Sequence, residues 1–238
     1  MVSYIEAGVD WDGKPSILMP LIEGMNLREA VAGHDLEMIL HVFEEILMAL
    51  DYAHSLSVIH RDLKPSNVIV RSSDNQPILV DFGCAYLLDN ADTSSLTTSL
   101  VGSLGYIPSE VISNPKLRSP QHDVFACGVM LYEVLAGTRP DPTDYKPLAL
   151  VKKEFGTIDP IICDAIAPAS SRVESASSFL SRIRRRHHWA IWLDYTVMPT
   201  YQYQESLSSL SSSLTSRRSK AAGSNSPPTH SNLSSCSG

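Results

Sequence analysis

The chain has 238 residues, 43% of them hydrophobic, and a formal net charge of -7 at pH 7. That is enough apolar material for one sizeable core and too little basic charge to grip nucleic acid, so one globular domain with an appendage is expected. The charge is uneven, because from Ser181 onward seven basic residues face two acids. Cys84, Cys127, Cys163 and Cys236 form no CxxC pair and no zinc spacing, which predicts free thiols in a reducing compartment and hence a cytoplasmic protein. The opening MVSYIEAGVDW has neither a basic nor a long apolar region and predicts no signal peptide. The longest apolar stretch, Val124 to Gly137, contains Glu133 and falls short of the roughly 20 residues that span a bilayer.

In chain order, MVSYIEAG and PSILMPL flank VDWDGK, whose Asp-Gly pair predicts a hairpin of two antiparallel strands. From Leu36 to His54, apolar residues recur at spacings of three and four (Ile39, Val42, Phe43, Ile46, Leu47, Leu50), which predicts a long amphipathic helix. NVIV and QPILV predict two short strands joined by the polar turn RSSDN, and a Ser/Thr-rich loop runs on to about Gly105. Helices are predicted over Gln121 to Gly137, over Leu148 to Phe155, and as a pair between Asp159 and Arg184. The aromatic piece RRRHHWAIWLDYTVMPTYQYQE has no clear period and receives no assignment. From Ser206 the last 33 residues hold 14 serines and almost no large apolar groups, a composition that predicts disorder.

One segment stands apart. VIHRDLKPSNVIV, Val58 to Val70, packs polar and charged residues between two β-branched apolar runs, so its polar centre is a loop that the core holds still. HRDLKPSN (His60 to Asn67), followed by DFG (Asp81 to Gly83) at a strand end, resembles the catalytic loop and metal-binding turn of the eukaryotic-like serine/threonine protein kinases. GSLGYIPSE (Gly102 to Glu110) is similar to the end of that family's activation segment, with Ser103 and Ser109 where Thr and Pro are commoner. DVFACG (Asp123 to Gly128) resembles the start of the buried central helix of the large lobe, and Arg172 its late arginine. The likeness covers residues 1–184 and has the tone of the bacterial members.

The resemblance implies an α+β protein-kinase-like fold, mainly the helical large lobe with two residual small-lobe strands, over residues 1–184, and a basic, then Ser-rich tail over 185–238. It implies ATP and Mg2+ as cofactors and protein Ser/Thr hydroxyls as substrate. Asp62 would orient the attacking hydroxyl and accept its proton, Lys64 would neutralise the γ-phosphate, and Asn67 and Asp81 would hold magnesium through oxygen. His60 and Phe82 would pack and not react. LMPLIEG resembles the hinge, which implies that Met19 would be the gatekeeper, Pro20 would offer its C=O, Ile22 its N–H, and Ile69 would lie beneath the adenine. Arg61 beside Asp62 implies a phosphate on the activation segment, at Thr97 with Ser95 or Thr98 as neighbours, placed there by an upstream kinase. Glu110 and Arg172 would form a buried ion pair.

Ahead of Tyr4 these residues include no glycine-rich loop, no Val-Ala-Ile-Lys strand and no helix with its partner Glu, so the reading is a kinase domain lacking most of its small lobe, weakly active or inactive by itself, with a strand edge that a partner could cover. Two alternatives stay beside it: a pseudokinase-like binding module, which would have no use for Asp62, Lys64, Asn67 and Asp81, and a small-molecule phosphotransferase, against which LKPSN and GSLGYIPSE speak. RIRRRHH reads as the solvated end of a helix, RRS at Arg217 to Ser219 as a chance phosphosite pattern, and Met19, Met25 and Met48 as core or pocket lining. No nucleic acid and no membrane span are expected.

Overall fold

The computed structural model describes residues 5–82, 86–87 and 102–186; Cys84, Thr97 with its neighbours, the aromatic piece from residue 187 and the Ser-rich tail lie outside the described residues. The expected hairpin is present but shorter, with β1 (Glu6–Val9) antiparallel to β2 (Pro15–Leu18). Its turn closes where Asp10 Oδ1 accepts the Asp12 and Lys14 N–H groups and Gly13 takes the left-handed φ of 76°.

β3 (Gly24–Asn26) was not anticipated, since three residues are too few to show a period. It pairs antiparallel with β5 (Val68–Arg71), which pairs in turn with β6 (Pro77–Leu79). At Gly24 a Cβ would collide with the Val70 carbonyl oxygen and the Ile69 side chain, so only glycine lets β3 lie this close. Gly24→Ala is therefore expected to split β3 from β5 and to destabilise the body by roughly 2–3 kcal/mol, measured by denaturant midpoint. A midpoint equal to that of the parent would contradict the close approach.

Asn26 caps the short α1 (Leu27–Ala30), and Asp35 caps the predicted long helix, α2 (Leu36–Ser55), by accepting from the Met38 N–H at 2.9 Å. The face of α2 made by Ile39, Val42, Phe43, Ile46, Leu47 and Leu50 is buried, as its spacing requires. α4 (Gln121–Ala136) is apolar nearly all round and forms the centre of the core, ending at Gly137 with φ 75°. α5 (Asp159–Ile166) packs on α4, and α6 (Ala176–Arg184), capped by Ser175, packs on α2 and α4.

The helix expected over Leu148 to Phe155 is corrected to two short 3-10 turns, Leu148–Leu150 and Lys153–Thr157. Only Leu148 and Phe155 are buried there, while Leu150 and Val151 face outward, and extended Lys152 (φ -153°) interrupts the ladder. Two buried anchors seven residues apart matched the helical period without a continuous face between them. α3 (Ser109–Ser113) and the paired dipeptides β4 (Val58–Ile59) and β7 (Tyr86–Leu87) were likewise too short to read. Among the described residues no helix is long and apolar enough to cross a membrane, and Cys127 and Cys163 are free thiols.

Candidate active site

β4 delivers the chain into His60–Asn67 and β5 takes it out, with a 3-10 turn at Pro65–Asn67 between them. Within this loop the side chains form one connected cluster. Lys64 Nζ donates to Asp62 Oδ2 at 2.7 Å and to Ser103 Oγ at 2.9 Å, and Ser103 Oγ donates to Asp62 Oδ1 at 2.9 Å. Asn67 Nδ2 donates to the Asp62 carbonyl at 2.9 Å and to Asp62 Oδ2 at 3.2 Å. Asp62 and Asn67 are buried, and Lys64 is half-buried. Burial alone would raise the Asp62 pKa, but Lys64 and Ser103 outweigh it and hold the carboxyl below its usual range. Asp62 is therefore an ionised, doubly anchored acceptor at neutral pH.

Asp81 reaches this cluster through the backbone. The Val80 N–H donates to the Asn67 carbonyl at 3.0 Å, so the next residue, an exposed Asp81 at φ 62°, sits where the β6 end meets the loop. The His60 ring bonds the Val80 carbonyl at 3.1 Å and packs on Phe82 with centroids 4.5 Å apart, which ties the loop to the Asp81 turn a second time. Gly83 lies outside the described residues. Asn67 and Asp81 offer oxygen donors, with the Asn67 amide nitrogen committed to Asp62, and this donor set fits a hard cation that keeps water and phosphate oxygens as its other ligands. Among the described residues no group of three His, Cys, Asp or Glu is gathered as a metal site.

Asp123, in the first turn of α4, holds the loop from beneath. One Oδ2 accepts the His60 N–H at 2.9 Å and contacts His54 Nε2 at 2.9 Å, and Oδ1 accepts the Arg61 N–H at 2.9 Å. Arg61 lies at φ 70°, a conformation that costs an L-residue about 1–2 kcal/mol, and the carboxylate bond offsets it. Asp123 is buried, which works to raise its pKa, yet His54, His60 and the Arg61 N–H pull the carboxyl below its ordinary range. The sequence reading placed Asp123 only as the start of a helix; an acid opening so apolar a run was the available sign of a buried anchor.

The expected ion pair is present: Arg172 Nη1 donates to Glu110 Oε1 at 2.6 Å. Its arginine end is buried at 1% side-chain exposure, while Glu110 keeps 20%, so the pair is sealed on one side only. Of the residues expected around adenine, Met19 and Pro20 are exposed and Ile22 is half-buried, all in the stretch joining β2 to β3. Ile69 is half-buried on β5 and pairs in register with Asn26 on β3. Ser103 bridges Asp62 and Lys64, a role that its place as a replacement for Thr in the sequence does not reveal.

The profile of the family described as Protein kinase domain matches residues 4–189. A Carbon catabolite-derepressing protein kinase of Secale cereale is 38% identical over 153 residues, which is 62% of this chain and 30% of that relative. The chain thus spans under a third of the length of that curated relative. Two double-mutant crystal structures of the Mycobacterium tuberculosis PknI kinase domain share the fold at a TM-score of 0.60 and 22% identity, one covering 79% of this chain and 71% of its own, the other 78% and 70%. With the family profile extending over the strands, the polar loop and the helices that carry it, the chain belongs to the protein kinase domain family.

Proposed function

We propose that these residues form the phosphotransfer centre of a serine/threonine protein kinase that uses ATP and Mg2+, with the kinase domain ending near residue 184 and the tail beginning at 185. The observation that carries the reading is the connected cluster Asp62–Lys64–Ser103–Asn67 with Asp81 beside it. Phosphoryl transfer asks a protein mainly to position groups and to neutralise charge. A substrate hydroxyl oxygen bonds to the γ-phosphorus as the bond to the ADP oxygen breaks, and the hydroxyl proton passes to Asp62. A carboxylate held low is a weak base, so Asp62 acts chiefly by orienting the hydroxyl until the proton is released late. Lys64 faces the migrating phosphoryl charge. Asn67 and Asp81 would hold magnesium through their side-chain oxygens, and the ion would supply positive charge against the phosphates. Ile69 supports the adenine from below, Met19 borders it, and the Pro20 C=O and Ile22 N–H read its edge.

The test is γ-phosphate transfer to a generic basic protein by this chain fused behind a small lobe from a related kinase, followed by phosphoamino-acid analysis. Phosphoserine and phosphothreonine support the reading; phosphotyrosine alone, or transfer only to a small molecule, overturns its substrate class. Phosphopeptide mapping of the same fusion, incubated with an active relative, is expected to find Thr97 modified, with Ser95 or Thr98 as neighbours. Modification confined to the tail serines would contradict that expectation.

A further inference from the structure

Arg139 follows α4 and plays no part in the chemistry described above. Its Nη1 donates to the Leu104 carbonyl at 2.6 Å, and its guanidinium carbon lies 5.4 Å from the centroid of the Tyr106 ring. The residue between these two contacts is Gly105, at φ 95°, and a Cβ there would run into the Arg139 guanidinium. The notch that a glycine leaves is thus occupied by an arginine from 34 positions further along the chain. From the other side Tyr106 Oη donates to Glu133 Oε2 at 2.5 Å, and Glu133 is held by Arg28 Nη2 at 2.6 Å. Burial, together with Glu133, pushes the Tyr106 phenol up to about 12, so it stays a neutral donor. The Tyr106 N–H donates to the Ser103 carbonyl at 3.1 Å, closing the turn, and Ser103 Oγ is the atom that bridges Asp62 and Lys64.

We infer that Arg139 is a positioning residue, which clamps the Leu104–Tyr106 turn through the Gly105 notch and thereby holds the Ser103 hydroxyl against Asp62 and Lys64. A planar guanidinium suits the task because it donates in its plane to one carbonyl while its face lies over a ring. A lysine carries one compact charge and serves one of these contacts at a time. The consequence for catalysis rests on the phosphotransfer reading; the clamp itself does not.

Hydrogen exchange on the 238-residue chain tests the clamp. Arg139→Ala is expected to speed exchange of the amides from 103 to 107 about tenfold while α4 exchanges as before, with Arg139→Lys between the two. Unchanged exchange over 103–107 overturns the clamp, and so does acceleration spread evenly through α4, which marks a merely structural arginine. In the small-lobe fusion, Arg139→Ala is expected to lower kcat/KM for a serine peptide about tenfold, with the KM for ATP unmoved and partial rescue by Arg139→Lys. An equal rise in both KM values overturns the positioning role. A fusion that is inactive with Arg139 in place sinks the phosphotransfer reading instead, and the exchange pattern still decides the clamp.

Discussion

Asp123→Ala is expected to destabilise the folded body by about 3–5 kcal/mol, a fall in melting midpoint of roughly 10 °C, and to abolish transfer in the small-lobe fusion. The substitution removes one buried carboxylate and leaves the His60 and Arg61 N–H groups and His54 Nε2 without their acceptor at once. Each buried donor left unmade costs about 1–3 kcal/mol, and Arg61 keeps its left-handed backbone without the bond that offset it. The loop that carries Asp62 and Lys64 then relaxes, so activity falls further than stability. The pH dependence follows from the depressed pKa of Asp123. Its contribution is present above the unfolded carboxyl value, about 3.9, and is lost as pH falls through the lower folded value. Acid titration should therefore destabilise the parent below about pH 4 more steeply than Asp123→Asn, which has no such charge to lose. Parallel acid limbs in the two proteins, or an Asp123→Ala midpoint within about 1 °C of the parent, would contradict the anchor.

The Glu110–Arg172 pair carries the second large effect, and its lopsided burial sets the order of the variants. Glu110→Ala strands a guanidinium with 1% side-chain exposure, and breaking a buried pair in this way costs about 3–5 kcal/mol. Arg172→Ala removes the bonds to Ala167 and Gln121 and the contact over Phe125, yet it leaves a carboxylate at 20% exposure that water can reach. Its cost should be smaller, about 2–3 kcal/mol, drawn from lost bonds and packing. Glu110→Gln, which keeps an acceptor, should fall between the parent and Glu110→Ala. Thermal melts of the three variants check the ranking. An Arg172→Ala midpoint equal to that of the parent while Glu110→Ala melts early would mean that Glu110 serves another partner.

What the sequence made legible and what it hid differ in range along the chain. α2 shows itself in the spacing of Ile39, Val42, Phe43, Ile46, Leu47 and Leu50, because each residue meets the core through its own helix. The loop from His60 to Asn67 shows itself because a dense polar run sits between two β-branched apolar runs and matches the family's catalytic-loop pattern within eight consecutive residues. The hidden parts are bonds between distant segments: Asp123 to His60 and Arg61, Ser103 to Asp62 and Lys64, Arg28 to Glu133, Arg139 to Leu104. Each joins positions 35–105 residues apart, and no local period records such a bond. Segment 148–157 failed differently, since Leu148 and Phe155 kept the spacing of a helix while the residues between them had no face to bury.

On the phosphotransfer reading proposed above, residues 58–82 and 102–110 assemble a transfer centre whose rate depends on a triphosphate held from both sides. On the proposed reading the 238 residues would hold it from one side, through Asp62, Lys64, Asn67 and Asp81, since they include no glycine-rich loop or strand lysine. Trp11 at the hairpin turn and Leu21 just beyond β2 are exposed at 92% and 91%. The most direct measurement is the initial rate of γ-phosphate transfer to a generic basic protein by the chain as given and by its small-lobe fusion, each beside Asp62→Asn. The fusion is expected to be at least about a thousandfold faster than the short chain and to fall to background with Asp62→Asn. Equal, Asp62-dependent rates in the two proteins would contradict this expectation, and a fusion as inactive as the short chain would turn the reading toward a binding module.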